Sequence, residues 1–299
     1  MFEEGQLYAP ITTAADGEVI VHLDEDHPGF GDPAYRARRN LIAARALQWS
    51  PGQPIPRVSY TPQESEVWRV VSRELAAKHE RLACAECREA VTRLALPVDR
   101  IPQLAEVGER LIPLTGFRYH PAAGLVGFED FYGSLADGVF HSTQYVRHPA
   151  RPLYTPEPDL IHEVIGHGGL LASSRLAELN RLAGGAARRL ETQAGRDFFA
   201  KVFWFTIEFG VVWEGPELRA YGAGLLSSYG EIEEFRAADI RPLDLAKMGT
   251  QPYDITQYQP ILYAADGLDH LLEVVGDFFA SCDDDSPARL GMAARARTG

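Results

Sequence analysis

The chain has 299 residues, 45% of them hydrophobic, enough to bury a sizeable core in one large domain or two. Its 42 acidic residues against 29 basic ones give a formal charge of −13, which disfavours phosphate backbones and anionic membranes as partners. No apolar run approaches the roughly 20 residues of a bilayer span, and the acidic start Met1-Phe2-Glu3-Glu4 lacks the parts of a signal peptide, so a cytoplasmic protein is expected.

Residues 1–23 are mixed and polar apart from Val19-Ile20-Val21, and read as a peripheral arm. The turn-rich Asp26-His27-Pro28-Gly29-Phe30 precedes Ala34 to Trp49, where Leu41, Ile42, Ala46 and Trp49 keep helical spacing. Arg36, Arg38 and Arg39 suit an anion site or a solvated face; the solvated face is the simpler expectation. Thr61-Pro62-Gln63-Glu64 has the form of a capping box with proline at the first helical position, so a helix starts near 62 with Val67, Val70, Val71 and Leu75 as its stripe. Further helices are expected over about 84–95, stopped by Pro97, and from Leu104 through Val107 and Leu111. Cys84-Ala-Glu-Cys87 has redox or zinc spacing but no second pair, and incidental thiols are the simpler reading.

Between Gly116 and His148 the pattern alternates, predicting short strands around the loop Gly124 to Phe128. That loop, close to Phe131, suits a grip on a flat ring or a plain turn. Tyr154 to Pro158 is rigid, and Asp159 then stands as the N-cap of a helix. Beyond Leu170 the spacing predicts a helix through Leu176, Leu179 and Leu182, a break at Gly184-Gly185, and a second helix from near Asp197 that carries Glu208. Ala220 to Glu231 is rich in small residues, which suits close approach of backbone to a ligand or tight packing on a helix. Leu268, Leu271, Leu272 and Val275 mark a last helix ending near Phe279, and residues 282–299 are expected to fray. Without a repeat or a linker, one domain over residues 24–281 is favoured.

The chemistry concentrates in Asp159 to Leu170, which holds His162, Glu163, His167 and three glycines within an apolar run. Zinc proteases place two histidines four apart on one helical face. Here the interval is five, which leaves the two rings roughly 140° apart on an ideal helix. Aiming both at one ion requires His162 at the very start of the helix or a local bulge, with Gly166, Gly168 and Gly169 supplying backbone freedom. Ordinary core or surface histidines are the competing reading. Phe203 to Gly210 adds Glu208 inside the most aromatic run of the chain, with no Lys or Arg in that run. A buried carboxylate must be neutral, paired or metal-bound. Two histidines and a carboxylate form the facial triad of non-haem Fe(II) sites; a zinc hydrolase is the lesser alternative.

These stretches resemble the tetrahydropterin-dependent aromatic amino acid hydroxylases. The likeness covers residues 24–281 and is carried by Asp26 to Phe30, Gly52 to Val58, Thr143 to His148, Tyr154 to Glu163, Trp204 to Gly210 and Tyr221 to Glu231. It implies a mainly α catalytic fold with a small β component, holding Fe(II) between His162, His167 and Glu208. It further implies that Arg147 holds the substrate carboxylate, with Thr155, Asp159 and Ser227 in support. Trp204 and Phe209 would shape the ring pocket. Gly124, Leu125 and Phe131 would flank a tetrahydropterin, tetrahydrobiopterin or a bacterial analogue, and Glu163 would act near pterin and iron.

Gly168-Gly169 stands where the family usually has Val-Pro, and Phe203 where a tyrosine is common. The family's N-terminal regulatory domain and C-terminal tetramerisation helix have no counterpart here, so a monomer or small homo-oligomer is expected. Trp204 and the apolar Ile255 favour phenylalanine as substrate over tryptophan or tyrosine. Conversion of phenylalanine to tyrosine with O2 and reduced pterin is the expected reaction. Tryptophan hydroxylation, another ring position, or a non-catalytic metal-binding homologue are the alternatives.

Overall fold

The computed structural model describes residues 9–290. An antiparallel pair, β1 (Ile11–Thr13) and β2 (Val19–Val21), leads into α1 (Pro33–Gln48), α2 (Pro62–Leu82), α3 (Ala85–Leu94) and α4 (Leu104–Thr115). The capping box closes as its spacing predicts: Glu64 N donates to Thr61 Oγ1 at 3.2 Å, and Thr61 N donates to Glu64 Oε2 at 2.7 Å. Arg39 departs from expectation. It is buried on the inner face of α1 and donates to Glu157 Oε1 at 2.7 Å, so it is no part of a solvated face.

Two strands follow, β3 (Arg118–Pro121) and β4 (Val139–Ser142), paired in parallel. Parallel strands need a crossover of a dozen or more residues, and α5 (Phe128–Ser134), which alternation did not reveal, lies in it. The strand pattern read through Arg147 stops at Ser142; Thr143 to Val146 are buried as irregular chain.

The central helix begins at Leu160 and ends as α6 (Gly168–Leu171), with the π-helical turn His162–His167 between. Next come α7 (Ser174–Ala187) and α8 (Gln193–Phe203), the latter continuing into a second π-helical turn, Trp204–Glu208. The expected break at Gly184-Gly185 does not occur. A Cβ at Gly184 would overlap the backbone of Leu135 and Ala136, so this glycine lets two segments approach closely within an unbroken helix. α8 starts earlier than predicted because Thr192 caps it, accepting from Gly195 N at 3.1 Å.

A four-stranded sheet that the sequence reading missed has the order β6-β5-β8-β7, from β5 (Val211–Glu214), β6 (Glu217–Ala220), β7 (Asp239–Pro242) and β8 (Ile261–Ala265). Val211, Val212 and Leu262 to Ala265 are buried whichever face they point to, and such strands lose the period-two signal. The short helices α9 (Ala223–Ser227), α10 (Glu231–Glu234) and α11 (Leu245–Met248) intervene, and α12 (Leu268–Ser281) packs against α7.

The stretch past Cys282 was expected to fray, yet α13 (Ser286–Arg289) forms there. Asp284 pins it by accepting from Thr192 N at 3.0 Å and Thr192 Oγ1 at 2.6 Å. Residues 1–8 of the arm and 291–299 of the tail lie outside the described residues. One large core spans α2 to α12, and a small satellite core of Ala9, Val19, Val21, Leu23, Tyr35 and Ala43 seats the arm on α1. Cys84, Cys87 and Cys282 are free and buried within the main core. Among the described residues no helix is long and apolar enough to cross a membrane.

Candidate active site

A cavity of about 450 Å³ opens beside the central helix, lined by both π-helical turns, the Gly124 loop and the chain around Tyr253. The first π turn resolves the five-residue interval. Its i→i+5 hydrogen bonding, seen where Gly168 N reaches Glu163 O, brings residues five apart onto one side. His162 Nε2 and His167 Nε2 consequently lie 3.1 Å apart, with their rings nearly perpendicular at 87°. Gly166 contributes clearance rather than an unusual φ: a Cβ there would overlap the Ala223 carbonyl, so α9 can press onto the turn. Phe140 on β4 packs on the His167 ring at 4.5 Å and fixes its plane.

The second π turn delivers Glu208. Its Oε1 is 3.1 Å from His167 Nε2 and its Oε2 is 3.8 Å from His162 Nε2. Three donors each about 2.1 Å from one ion and at right angles would be separated by about 3.0 Å, so this spacing fits one face of an octahedral site. The proton inventory agrees. Ser227 Oγ donates to Ala223 O at 2.8 Å and so accepts from His162 Nδ1, also at 2.8 Å. That leaves the Nε2 lone pair of His162 aimed at the shared point, the arrangement that orients a metal-ligating imidazole. Burial, helped by His167, pushes the His162 pKa down to about 4, keeping the ring neutral. Burial alone would raise the Glu208 carboxyl, but His167 beside it holds it below the ordinary value. Glu163 stands nearby, its carboxylate and the two imidazoles falling within 4.8 Å of one another. Glu208 is the better third ligand because its oxygens come within 4 Å of both Nε2 atoms.

Arg147 lines the same cavity and is held at the start of the same helix. It is buried, and Asp159 holds it through three bonds: Nε to Oδ2 at 2.9 Å, Nη2 to Oδ1 at 2.8 Å, and backbone N to Oδ2 at 2.8 Å. Asp159 Oδ1 also accepts from His162 N at 3.2 Å, the expected cap. Burial pushes the Asp159 carboxyl up, but the Arg147 guanidinium holds it below its usual range. Two of five guanidinium N–H groups are thereby engaged, and Arg147 lines the cavity with three left over, a donor set suited to a carboxylate.

Trp204 stacks on Tyr253 at 4.2 Å and 10° and meets Phe209 at 4.5 Å, forming an apolar slot with Ile255. Gly124, Leu125, Phe131 and Glu163 line the same cavity. All the site residues expected from the sequence line this cavity except Asp159, which lies fully buried behind Arg147. Two of these also have partners within the chain. Thr155 Oγ1 donates to Glu157 O at 2.7 Å, and Ser227 supports His162. Of the two substituted positions, Phe203 meets Tyr132 edge-on at 4.9 Å, while a Cβ at Gly168 would crowd the Tyr119 hydroxyl that donates to Glu163 O at 2.8 Å. Within 220–231, Gly222 abuts the Glu208 carbonyl and Gly224 the Phe209 ring, while Gly224, Ser227, Ser228 and Gly230 also line the cavity.

Sequence reasoning missed Tyr253, Glu231 and Glu157 in the cavity wall. Burial pushes the Glu231 carboxyl up to about 7, moderated by the Gln259 N–H. Glu157 goes the other way: burial would raise it, but Arg39 and His27 hold it down to about 2. It also accepts from Ala9 N at 2.9 Å, tying the arm to the cavity wall. A carboxylate with a depressed folded pKa stabilises fully above its unfolded value of 4.5, and that stabilisation is lost as pH falls toward 2. The loss amounts to roughly 3 kcal/mol. Urea midpoints at pH 5 and pH 3 are expected to converge in Glu157→Gln relative to the parent; an unchanged pH slope would contradict this role.

Residues 15–286 match the biopterin-dependent aromatic amino acid hydroxylase family. The chain is 50% identical over 264 residues to phenylalanine 3-hydroxylase of Streptomyces coeruleorubidus, covering 88% of this chain and 95% of that protein. It is 43% identical to phenylalanine-4-hydroxylase of Bos taurus, over 87% of this chain but 58% of the bovine one. The structure of Chromobacterium violaceum phenylalanine hydroxylase with bound iron(III) and the oxidised cofactor 7,8-dihydrobiopterin superposes with a TM-score of 0.72 at 25% identity, over 81% of this chain and 86% of that one. With two histidines and a glutamate converging beside a buried arginine, and with this match over most of its length, the chain belongs to the biopterin-dependent aromatic amino acid hydroxylases.

Proposed function

We propose that this chain hydroxylates the ring of free phenylalanine, using O2, Fe(II) and a tetrahydropterin. The observation that carries the reading is the cavity shared by the His162, His167 and Glu208 cluster, Arg147 and the Trp204 slot. It offers one place each for a ferrous ion, an amino acid carboxylate and an apolar ring. Iron and reduced pterin, when bound, supply the activation of dioxygen. The chain's residues bind, orient and exclude water. Arg147, held by Asp159, would take the substrate carboxylate; Trp204, Phe209 and Ile255 would take the ring; Gly124, Leu125 and Phe131 would flank the pterin, with Glu163 close to both pterin and metal. Ile255 presents no polar group to a phenol, which supports phenylalanine over tyrosine.

Tyrosine is the product expected from the sequence. The higher identity to a phenylalanine 3-hydroxylase than to the 4-hydroxylases favours meta attack as a second reading. Anaerobic loading with Fe(II), followed by air, reduced pterin and phenylalanine, is expected to give pterin-dependent oxygen uptake and a hydroxylated product. Chromatography against tyrosine and 3-hydroxyphenylalanine standards assigns the ring position. Turnover of tryptophan well above phenylalanine would overturn the substrate; absence of pterin-dependent uptake would favour a non-catalytic binding protein.

We place the catalytic unit at residues 24–281, with residues 1–23 as an accessory arm. A cytoplasmic monomer or small homo-oligomer without nucleic-acid or membrane partners fits the charge of −13.

A further inference from the structure

We propose that Gln259 is a positioning residue that sets the shape of the aromatic slot through Trp204, and so governs which ring position of the substrate faces the metal cluster. The inference rests on the phenylalanine reading above. Gln259 does not line the cavity; it sits behind the slot, 5% exposed, in the chain leading into β8.

The indole of Trp204 has a single polar handle, its Nε1–H, and in a buried aromatic setting that donor needs an acceptor. Gln259 Oε1 provides it at 3.0 Å. The orientation of the amide is determined by its other partners. Gln259 Nε2 donates to Asp254 O at 2.9 Å and to Gln257 O at 3.1 Å, so a flipped amide would set its oxygen against two carbonyls and its NH2 against the indole N–H. The backbone is anchored as well. Gln259 N donates to Glu231 Oε1 at 2.7 Å, and Asp239 N donates to Pro260 O at 2.9 Å, fixing the segment to β7.

One side chain thus joins the Trp204 wall to the turn that carries Ile255, while its backbone holds Glu231. Without its acceptor the indole would keep its stacking on Tyr253 and Phe209 but lose the interaction that selects one edge. Stacking tolerates in-plane rotation and ring flipping, whereas the hydrogen bond does not. A substrate ring lying against that wall inherits the choice.

The test compares wild type, Gln259→Met, Trp204→Phe and the double variant. Readouts are KM for phenylalanine, KM for tetrahydropterin, and the ratio of ring-hydroxylated isomers. Gln259→Met is expected to raise KM for phenylalanine about tenfold and to increase the minor isomer, with KM for pterin within about twofold of wild type. In the Trp204→Phe background, where the indole N–H is gone, the same substitution is expected to change the isomer ratio by less than about twofold. Equal shifts in both backgrounds, or wild-type ratios in Gln259→Met, would overturn the proposal. Should Gln259→Met fail to fold, Gln259→Leu takes its place in the same four-way comparison, and an isomer ratio unchanged in Trp204→Phe would equally overturn the proposal. No phenylalanine product from the wild type would refute the substrate reading and this one together. Product from the wild type with unchanged variant ratios would refute only this one.

Discussion

Glu208→Ala is expected to strip the protein of Fe(II) and to abolish pterin-dependent oxygen uptake, while Glu163→Gln retains the metal. Both carboxylates stand near the paired imidazoles, so the two variants separate a ligand from a neighbour. Glu208 has one oxygen 3.1 Å from His167 Nε2 and the other 3.8 Å from His162 Nε2. Removing it leaves two neutral imidazoles, which suit many metals but lack the anionic oxygen that a ferrous ion favours. Loss of supporting groups around a metal ligand commonly weakens affinity by about 10- to 100-fold, and loss of a ligand itself is expected to exceed about 100-fold. Metal analysis after dialysis against a weak chelator reads the difference directly. Full iron retention in Glu208→Ala, or iron loss in Glu163→Gln, would reverse the assignment of the two carboxylates. His162→Ala is expected to behave as Glu208→Ala does, and Ser227→Ala to show a partial loss, because Ser227 only sets the His162 tautomer.

The metal cluster could be read from the sequence because its signal is local. The interval between His162 and His167 is incompatible with a regular helix and one ion, so either the chemistry or the helix had to give; the π turn shows that the helix did. Glu208 stood out for the same reason, a carboxylate in an aromatic run with no adjacent cation. What stayed hidden depends on partners distant in the chain. Tyr253 and Gln259 lie in a polar stretch without periodicity, and only the anchoring of that stretch to β7 and Glu231 brings them behind Trp204. Gly184 misled because a glycine pair resembles a helix end, whereas the requirement it meets is clearance for the chain at Leu135 and Ala136. Arg39 misled because three arginines in four residues resemble a wet surface, while its partner Glu157 is far away in sequence.

Asp159→Ala is expected to damage stability and substrate binding at once. The carboxylate is fully buried and accepts from Arg147 N, Nε and Nη2 as well as from His162 N. Removing it leaves a guanidinium that is 4% exposed without its countercharge, a change of about 3–5 kcal/mol. Arg147 would then turn toward any available acceptor, and its remaining donors would no longer be held for a carboxylate. Because the same oxygen that holds Nη2 also caps the start of the metal helix, iron affinity is expected to fall along with amino acid affinity. Arg147→Lys separates the two effects. A lysine restores a charge beside Asp159 but cannot serve it and a substrate carboxylate in the paired geometry of a guanidinium. It is expected to leave iron content near wild type and to raise KM for phenylalanine by roughly 10- to 100-fold, with KM for pterin little changed. Urea denaturation, metal analysis and the two KM values read these outcomes independently. Unaltered KM for phenylalanine in Arg147→Lys would remove Arg147 from substrate recognition and leave it a purely structural partner of Asp159.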